Sequence, residues 1–353
     1  MTWLTRMWTV ASIELQQRVR GAAWYVLLGI FVFVVLVVTV FTTIATSNSE
    51  APGAVLYSLI VYFVLLLGTL VVPALSGNAI NGDRESGTLA TTQVTLVTTP
   101  QLVLGKLLAA WITALGFLVA ALPFLLFALV LGGASTVSAV VSILVLALEL
   151  GVVSAVGVGL SGLIRRPLFS VVATYLVVAL LSIGTLITFG LGGVVAQEQV
   201  TQRYESIDWQ ASSDELDPQT GLPVDLVCIT NETEYAMPRF DRVWWVLAAN
   251  PYVLLADAVP THFDSYGNPD DLFGGIKYVV RQAQIPPEVT SWSECDQVDD
   301  TTYPTAEETI RGTVPSWAVG LALHVLLAGG LIFGAIARTH APAKRMAAGS
   351  RVA

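Results

Sequence analysis

Six long apolar runs, at about residues 22–45, 54–75, 102–131, 137–164, 168–195 and 316–337, constrain this chain more than any other feature. A helix needs about 20 apolar residues to cross a bilayer, and each run supplies that length. The runs are too continuous for the strands of a membrane barrel, whose lipid-facing and lumen-facing residues alternate. Composition agrees: of 353 residues, 54% are hydrophobic and 12% charged, with a mean hydropathy of +0.71. Soluble domains carry about 25% charged residues. The expected fold is therefore all-α integral membrane, with six transmembrane helices. The first run is too long for the h-region of a cleavable signal peptide. The third and fifth exceed what a bilayer requires, which predicts tilt or an extra turn outside it, and Pro123 predicts a kink in the third.

Six spans place both termini on one side. Arg6, Arg18, Arg20, Arg84, Lys106, Arg165, Arg166, Arg338, Lys344, Arg345 and Arg351 then share that side. The positive-inside rule makes it cytoplasmic, in a multi-pass protein of the cell (plasma) membrane. Residues 1–21 place Leu4, Met7, Trp8, Ala11 and Leu15 on one helical face and Arg6, Gln16, Gln17, Arg18 and Arg20 off it. That is the pattern of an amphipathic helix in the interface, the alternative being a frayed extension of the first span.

The acids are segregated. Of 26, 21 lie between Glu198 and Glu308, so the net charge of −9 describes one loop and gives no support to nucleic-acid binding. Residues 196–315 also carry Trp209, Trp244, Trp245, Tyr252, Phe263, Tyr278 and Trp292. So many large rings argue for a folded extracytoplasmic domain between spans five and six rather than a disordered acidic loop. Both cysteines, Cys228 and Cys295, lie here, as one disulfide or as two free thiols. Asn231-Glu232-Thr233 forms a glycosylation sequon. Within this domain residues 243–260 are apolar but broken by Asn250-Pro251 and charged at Asp257. They are expected to form interfacial helices, with Trp244 and Trp245 at headgroup level. Residues 316–338 form the sixth span and residues 339–353 a cytoplasmic tail.

Within residues 22–195, the insert at 77–101 interrupts the apolar pattern with Asp83, Arg84 and Glu85, followed by Gly87, Thr88 and Leu89, and leads to Gly105-Lys106. Charge in so apolar a chain is stable only in water, so the insert reads as a short polar helix or turn at the membrane surface. The order Arg84-Glu85, Gly87-Thr88-Leu89 and Gly105-Lys106 resembles the signature of the ABC-2 membrane family, the permease subunits of ATP-driven exporters. A proline usual midway in that family is Leu96 here, with Pro100 displaced toward Gly105. The resemblance implies that the insert is a coupling element touching a separately encoded ATPase, which binds the ATP. It also implies pairing with a second permease copy or a homologous permease. Arg84 and Glu85 would hold the ATPase through charge pairs.

Arg165-Arg166-Pro167 makes a tight turn between spans four and five, either a second contact to the ATPase or a topological anchor. Small residues in spans four and five, Gly157 and Gly162 among them, serve packing within the subunit or a dimer seam. Glu149 is the sole acid inside a span, either functional or a protonated carboxyl bonded to a neighbouring helix. His324 reads as a satisfied core histidine. The chain contains no P-loop, no zinc-ligand spacing and no Gly-x-Ser-x-Gly elbow, so it is expected to be no enzyme, to hold no cofactor or metal of its own, and to borrow its energy. The expected function is the permease subunit of an ABC exporter. The alternative is a membrane-anchored sensor or assembly factor acting through residues 196–315.

Overall fold

The computed structural model describes residues 2–47, 51–88, 97–213, 215–218, 222–287, 292–295 and 304–339. Among them, six helical segments are long and apolar enough to cross a membrane, at Ala22–Ala45, Pro52–Glu85, Thr99–Val130, Thr136–Leu163, Pro167–Val195 and Trp317–Thr339. The chain is a mostly helical, multi-pass membrane protein.

Local chemistry sets the helix ends. Helix α1 (Trp3–Arg20) starts where the Thr2 side chain accepts the Thr5 amide, and it stops at Gly21. Helix α2 (Ala22–Ala45) follows at once, then α3 (Pro52–Ser76) with Pro52 in its first turn, then the single-turn α4 (Asn81–Glu85). Helix α5 (Thr99–Val130) opens on a reciprocal cap between Thr98 and Gln101, with Pro100 in the first turn, where a missing N–H costs nothing. Pro100 thus begins a helix instead of bending a loop. At 1.5 Å per residue, the 32 residues of α5 reach about 48 Å, beyond a hydrocarbon core of about 30 Å. Helix α6 (Thr136–Leu163) is capped by Ser135. The fifth span is α7 (Pro167–Ala179), a π-turn at Leu180–Gly184, and α8 (Thr185–Val195).

Helices α3, α5 and α6 form the centre of the bundle, with Tyr57, Ile60, Leu65, Phe117, Leu125, Leu146 and Leu150 in one buried cluster. The last helix, α12 (Trp317–Thr339), lies along α6. Lipid tails are as apolar as leucine, so helices associate by close packing, which small residues permit. A methyl group on Gly157 would lie 1.9 Å from Ser76 Oγ, and one on Gly162 would lie 2.4 Å from Ala335 Cβ. These two glycines are committed to packing inside the subunit.

Residues 196–315 depart from the all-α expectation. Strands β1 (Glu198–Ile207) and β2 (Cys228–Met237) pair antiparallel from Glu198↔Met237 to Ile207↔Cys228. The short β3 (Trp292–Ser293) joins β1 in parallel, giving the order β2-β1-β3. Cys228 and Cys295 are joined in a disulfide that ties β2 to the residues after β3. The sheet's signal, alternating side chains along β1, is confined to ten residues and is masked by the surrounding acids.

Residues 243–260 also differ from expectation. A 3-10 helix at Trp244–Ala249 leads into α9 (Pro251–Ala258), which is wedged into the bundle instead of lying on it. Leu254, Leu255 and Ala256 are 0% exposed. Helices α10 (Leu272–Gln282) and α11 (Ala306–Gly312) close over it. Asn250 and Asp257, whose polarity argued for water, find their partners inside the protein.

Candidate functional site

Most of the charged insert turns inward. Lys106, in the second turn of α5, is 2% exposed, pairs with Glu14 of α1, and lies 2.8 Å from Asp83 Oδ2 of α4. Two carboxylates around one ammonium satisfy a cation that its burial would otherwise strongly destabilise. Beside it, a methyl on Gly105 would fall 2.8 Å from Val10 Cβ and 2.9 Å from the Met7 carbonyl. The Gly-Lys pair therefore lets α1 seat against α5 and then locks it there. Gln101 Nε2 donates to the Trp3 carbonyl at 3.2 Å, and Arg18 Nη2 donates to the Leu75 carbonyl at 3.2 Å. Burial lowers the pKa of Arg18, and neighbouring Glu14 partly restores it.

Arg84 is also spoken for. Its guanidinium donates to Asn81 Oδ1 at 2.9 Å and to the Gly162 carbonyl at 3.0 Å. Asn81 Nδ2 donates to the Ile164 carbonyl at 2.7 Å, and Ser161 Oγ accepts the Ile80 and Asn81 amides. The last carbonyls of α6, which no helical amide reaches, are thus satisfied by α4. The Arg84 donors are thus engaged within the subunit. Among the described residues of the insert, Glu85, Ser86, Gly87, Thr88 and Thr98 are exposed, and Gly87 adopts a positive φ of 71°. Leu89 and the tail residues Lys344, Arg345 and Arg351 lie outside the described residues.

Arg165 and Arg166 are exposed at the turn into α7, and Arg166 lies over the Phe169 ring at 5.6 Å. Both sit at the α1 end of the bundle, but the structure does not join them to the Lys106 cluster.

Halfway along α6, Glu149 meets His324 of α12. Both Glu149 oxygens lie within 3.0 Å of His324 Nδ1, and each side chain is 1% exposed. His324 Nε2 lies 2.9 Å from the Ala249 carbonyl. A carbonyl only accepts, so Nε2 carries a proton and one further proton is shared between Nδ1 and the carboxyl. The carboxyl that stood alone in the sequence has a partner 175 residues away.

Ala249 belongs to the helical hairpin formed by the 3-10 helix Trp244–Ala249 and α9, which is held from two other sides. Asn250 Oδ1 caps α9 by accepting the Tyr252 and Val253 amides, while Asn250 Nδ2 donates to the Ser182 carbonyl at 2.6 Å and to Thr185 Oγ1 at 2.9 Å. A π-turn widens the helix and frees carbonyls, and Ser182 lies within it. Asp257 pairs with Arg281 of α10 at 2.8 Å and also accepts the Ser316 and Trp317 amides at 2.7 and 3.0 Å. Its charge thus sits on the positive N-terminal end of α12.

Sequence reasoning missed Glu14, Asn81, Ser161, Asn250, Asp257 and Arg281 as members of these clusters. Two left a signal: Glu14 is the one acid in a basic helix, and Asn before Pro is a helix-start pair. Among the described residues, no three His, Cys, Asp or Glu side chains converge to hold a metal ion. Comparison with models of known families and with curated proteins found no match.

Proposed function

We propose that this chain is the permease subunit of an ATP-binding-cassette exporter, working as a pair with a second copy or a homologous permease. A separately encoded ATPase would bind the ATP and supply the energy. The end bearing α1 is then cytoplasmic, as the distribution of Arg and Lys argues, and residues 196–315 lie outside. The observation that carries this reading is Lys106. One buried ammonium joins α1, α4 and α5, and Arg84 in the same short helix grips the end of α6. A push on the exposed Glu85–Thr88 turn would reach four helices through polar contacts instead of being absorbed by a slack loop. Contact with the ATPase is assigned to Glu85, Ser86, Gly87 and Thr88. Asp83, Arg84, Gly105 and Lys106 transmit the push.

The test is purification of the chain from its native membranes in gentle detergent, with mass spectrometry of what accompanies it. A P-loop ATPase in near-equal amount, lost on Glu85→Lys while the protein stays folded, is the expected result. An intact, folded protein without such a companion would refute the reading and favour the membrane-anchored sensor. That alternative draws on the hairpin, which links residues 196–315 to α6 and α12 through His324.

A further inference from the structure

The same end of the bundle carries positive charge that nothing described neutralises. Helices α6 and α12 touch at Gly162 and Ala335, and three residues beyond each contact the chains emerge with Arg165 and Arg338. Arg84, bonded to the Gly162 carbonyl at 3.0 Å, lies close enough for both to act on its charge. Three guanidinium groups therefore crowd around one helix crossing, with Arg166 in the adjoining turn. Among the described residues no acid lies within ion-pair distance of Arg165, Arg166 or Arg338. Among the described residues, the arginines that do pair with acids, Arg203, Arg239, Arg242, Arg281 and Arg311, all lie in residues 196–315. The donors of Arg84 are taken by Asn81 and the end of α6, so the unspent hydrogen-bonding capacity belongs to the other three.

We infer that Arg165, Arg166 and Arg338 bind the phosphate headgroup of an anionic membrane lipid. Like charges gathered at one crossing repel one another, and a phosphodiester between them would convert that repulsion into charge-assisted hydrogen bonds. The surroundings favour a lipid over a soluble anion or an acidic protein. Leu168 and Phe169 follow the arginines after Pro167 and are 73% and 58% exposed, and Phe333 on α12 is 74% exposed. A ligand with its phosphate on these guanidinium groups therefore has apolar side chains immediately beneath it, where acyl chains begin. Basic clusters at the ends of spanning helices attract anionic lipid. The inference does not depend on the exporter reading.

The test uses the full chain in nanodiscs of equimolar phosphatidylglycerol and phosphatidylcholine, released into the gas phase for native mass spectrometry. Wild-type protein is expected to retain phosphatidylglycerol several-fold over phosphatidylcholine. The Arg165→Gln/Arg338→Gln variant should retain the two about equally, while Arg311→Gln, at the opposite end, should behave as wild type. Equal selectivity in wild type and double variant overturns the inference. So does loss of selectivity on adding soluble glycerol phosphate, which would mark a free-phosphate site. Loss of a co-purifying protein from the double variant with lipid selectivity intact overturns it in favour of a protein-docking surface.

Discussion

Glu149 and His324 form a closed pair in the middle of the bundle: Nδ1 faces both carboxyl oxygens within 3.0 Å, while Nε2 is spent on the Ala249 carbonyl at 2.9 Å. The pair is complete with one shared proton. It needs no catalytic partner, and it fixes α6, α12 and the hairpin at a single point.

Glutamine at position 149 can still donate to Nδ1, so Glu149→Gln should melt close to wild type in detergent. His324→Leu leaves a buried carboxyl without its partner and should cost about 3–5 kcal/mol. Thermal unfolding of both variants decides the matter. An equal loss from the two would mean that the carboxylate charge itself is required.

Lys106→Met removes the cation that Glu14 and Asp83 share and leaves two acids facing each other. The expected result is release of α1 from α5, read as a gain of several-fold in labelling of a cysteine placed at Ala11, which is buried against α5 in the intact protein. Asp83→Asn should have a smaller effect because Glu14 remains. If α1 stays protected in Lys106→Met, the apolar seat at Gly105 alone holds it.

Asn250→Ala removes the α9 cap and the bridge to Ser182 together. Loss of an N-cap costs about 0.5–2 kcal/mol, and loss of the bridge adds about 0.5–1.5 kcal/mol, since the Ser182 carbonyl keeps Thr185 Oγ1 at 3.2 Å. Asn250→Ser keeps the cap and loses the bridge, so its melting midpoint should fall between those of wild type and alanine. A serine variant as unstable as alanine would place all of the effect in the π-turn.

The cap over the hairpin should respond to pH in two windows. Burial, helped by the charge of Asp270, pushes the Asp271 carboxyl up to about 6 from its ordinary 3.8. The folded state therefore holds this proton more tightly, and stability present below that ordinary value is lost as pH rises through about 6. Burial lowers Lys277 to about 8 from 10.5, so its penalty acts below about 8 and is relieved as pH rises toward 10.5. Melting midpoints should therefore decline between pH 4 and 6. Asp271→Asn, which still caps α10, should flatten that decline, and an unchanged slope would assign it to another acid.

The six spans were legible because length and apolarity are properties of a single stretch, and the lipid solvent enforces them. The insert was legible as a polar surface element for the same reason. Its orientation was not. A charged residue such as Arg84 implies water when only its own stretch is considered, and nothing in the sequence around Arg84 or Lys106 names Gly162 or Glu14. Residues 243–260 failed in the same way: Asn250 and Asp257 seemed to demand solvent because their partners, Ser182 and the amides of Ser316 and Trp317, lie on other helices. The sheet was missed because ten alternating residues in β1 carry little weight beside a long acidic segment.

The seat of α9 also sets an order of events during synthesis. Tyr62, Thr69 and Ser182, which hold its leading edge, have left the ribosome before the hairpin is made. His324 and the amides of Ser316 and Trp317 come afterwards. Until the final span enters the bilayer, Asp257 has Arg281 but no helix end to cap, and Ala249 presents a bare carbonyl. The last helix is therefore the keystone of assembly: its arrival satisfies the hairpin, and a nascent chain that stops short of residue 316 leaves a polar wedge for quality control to find.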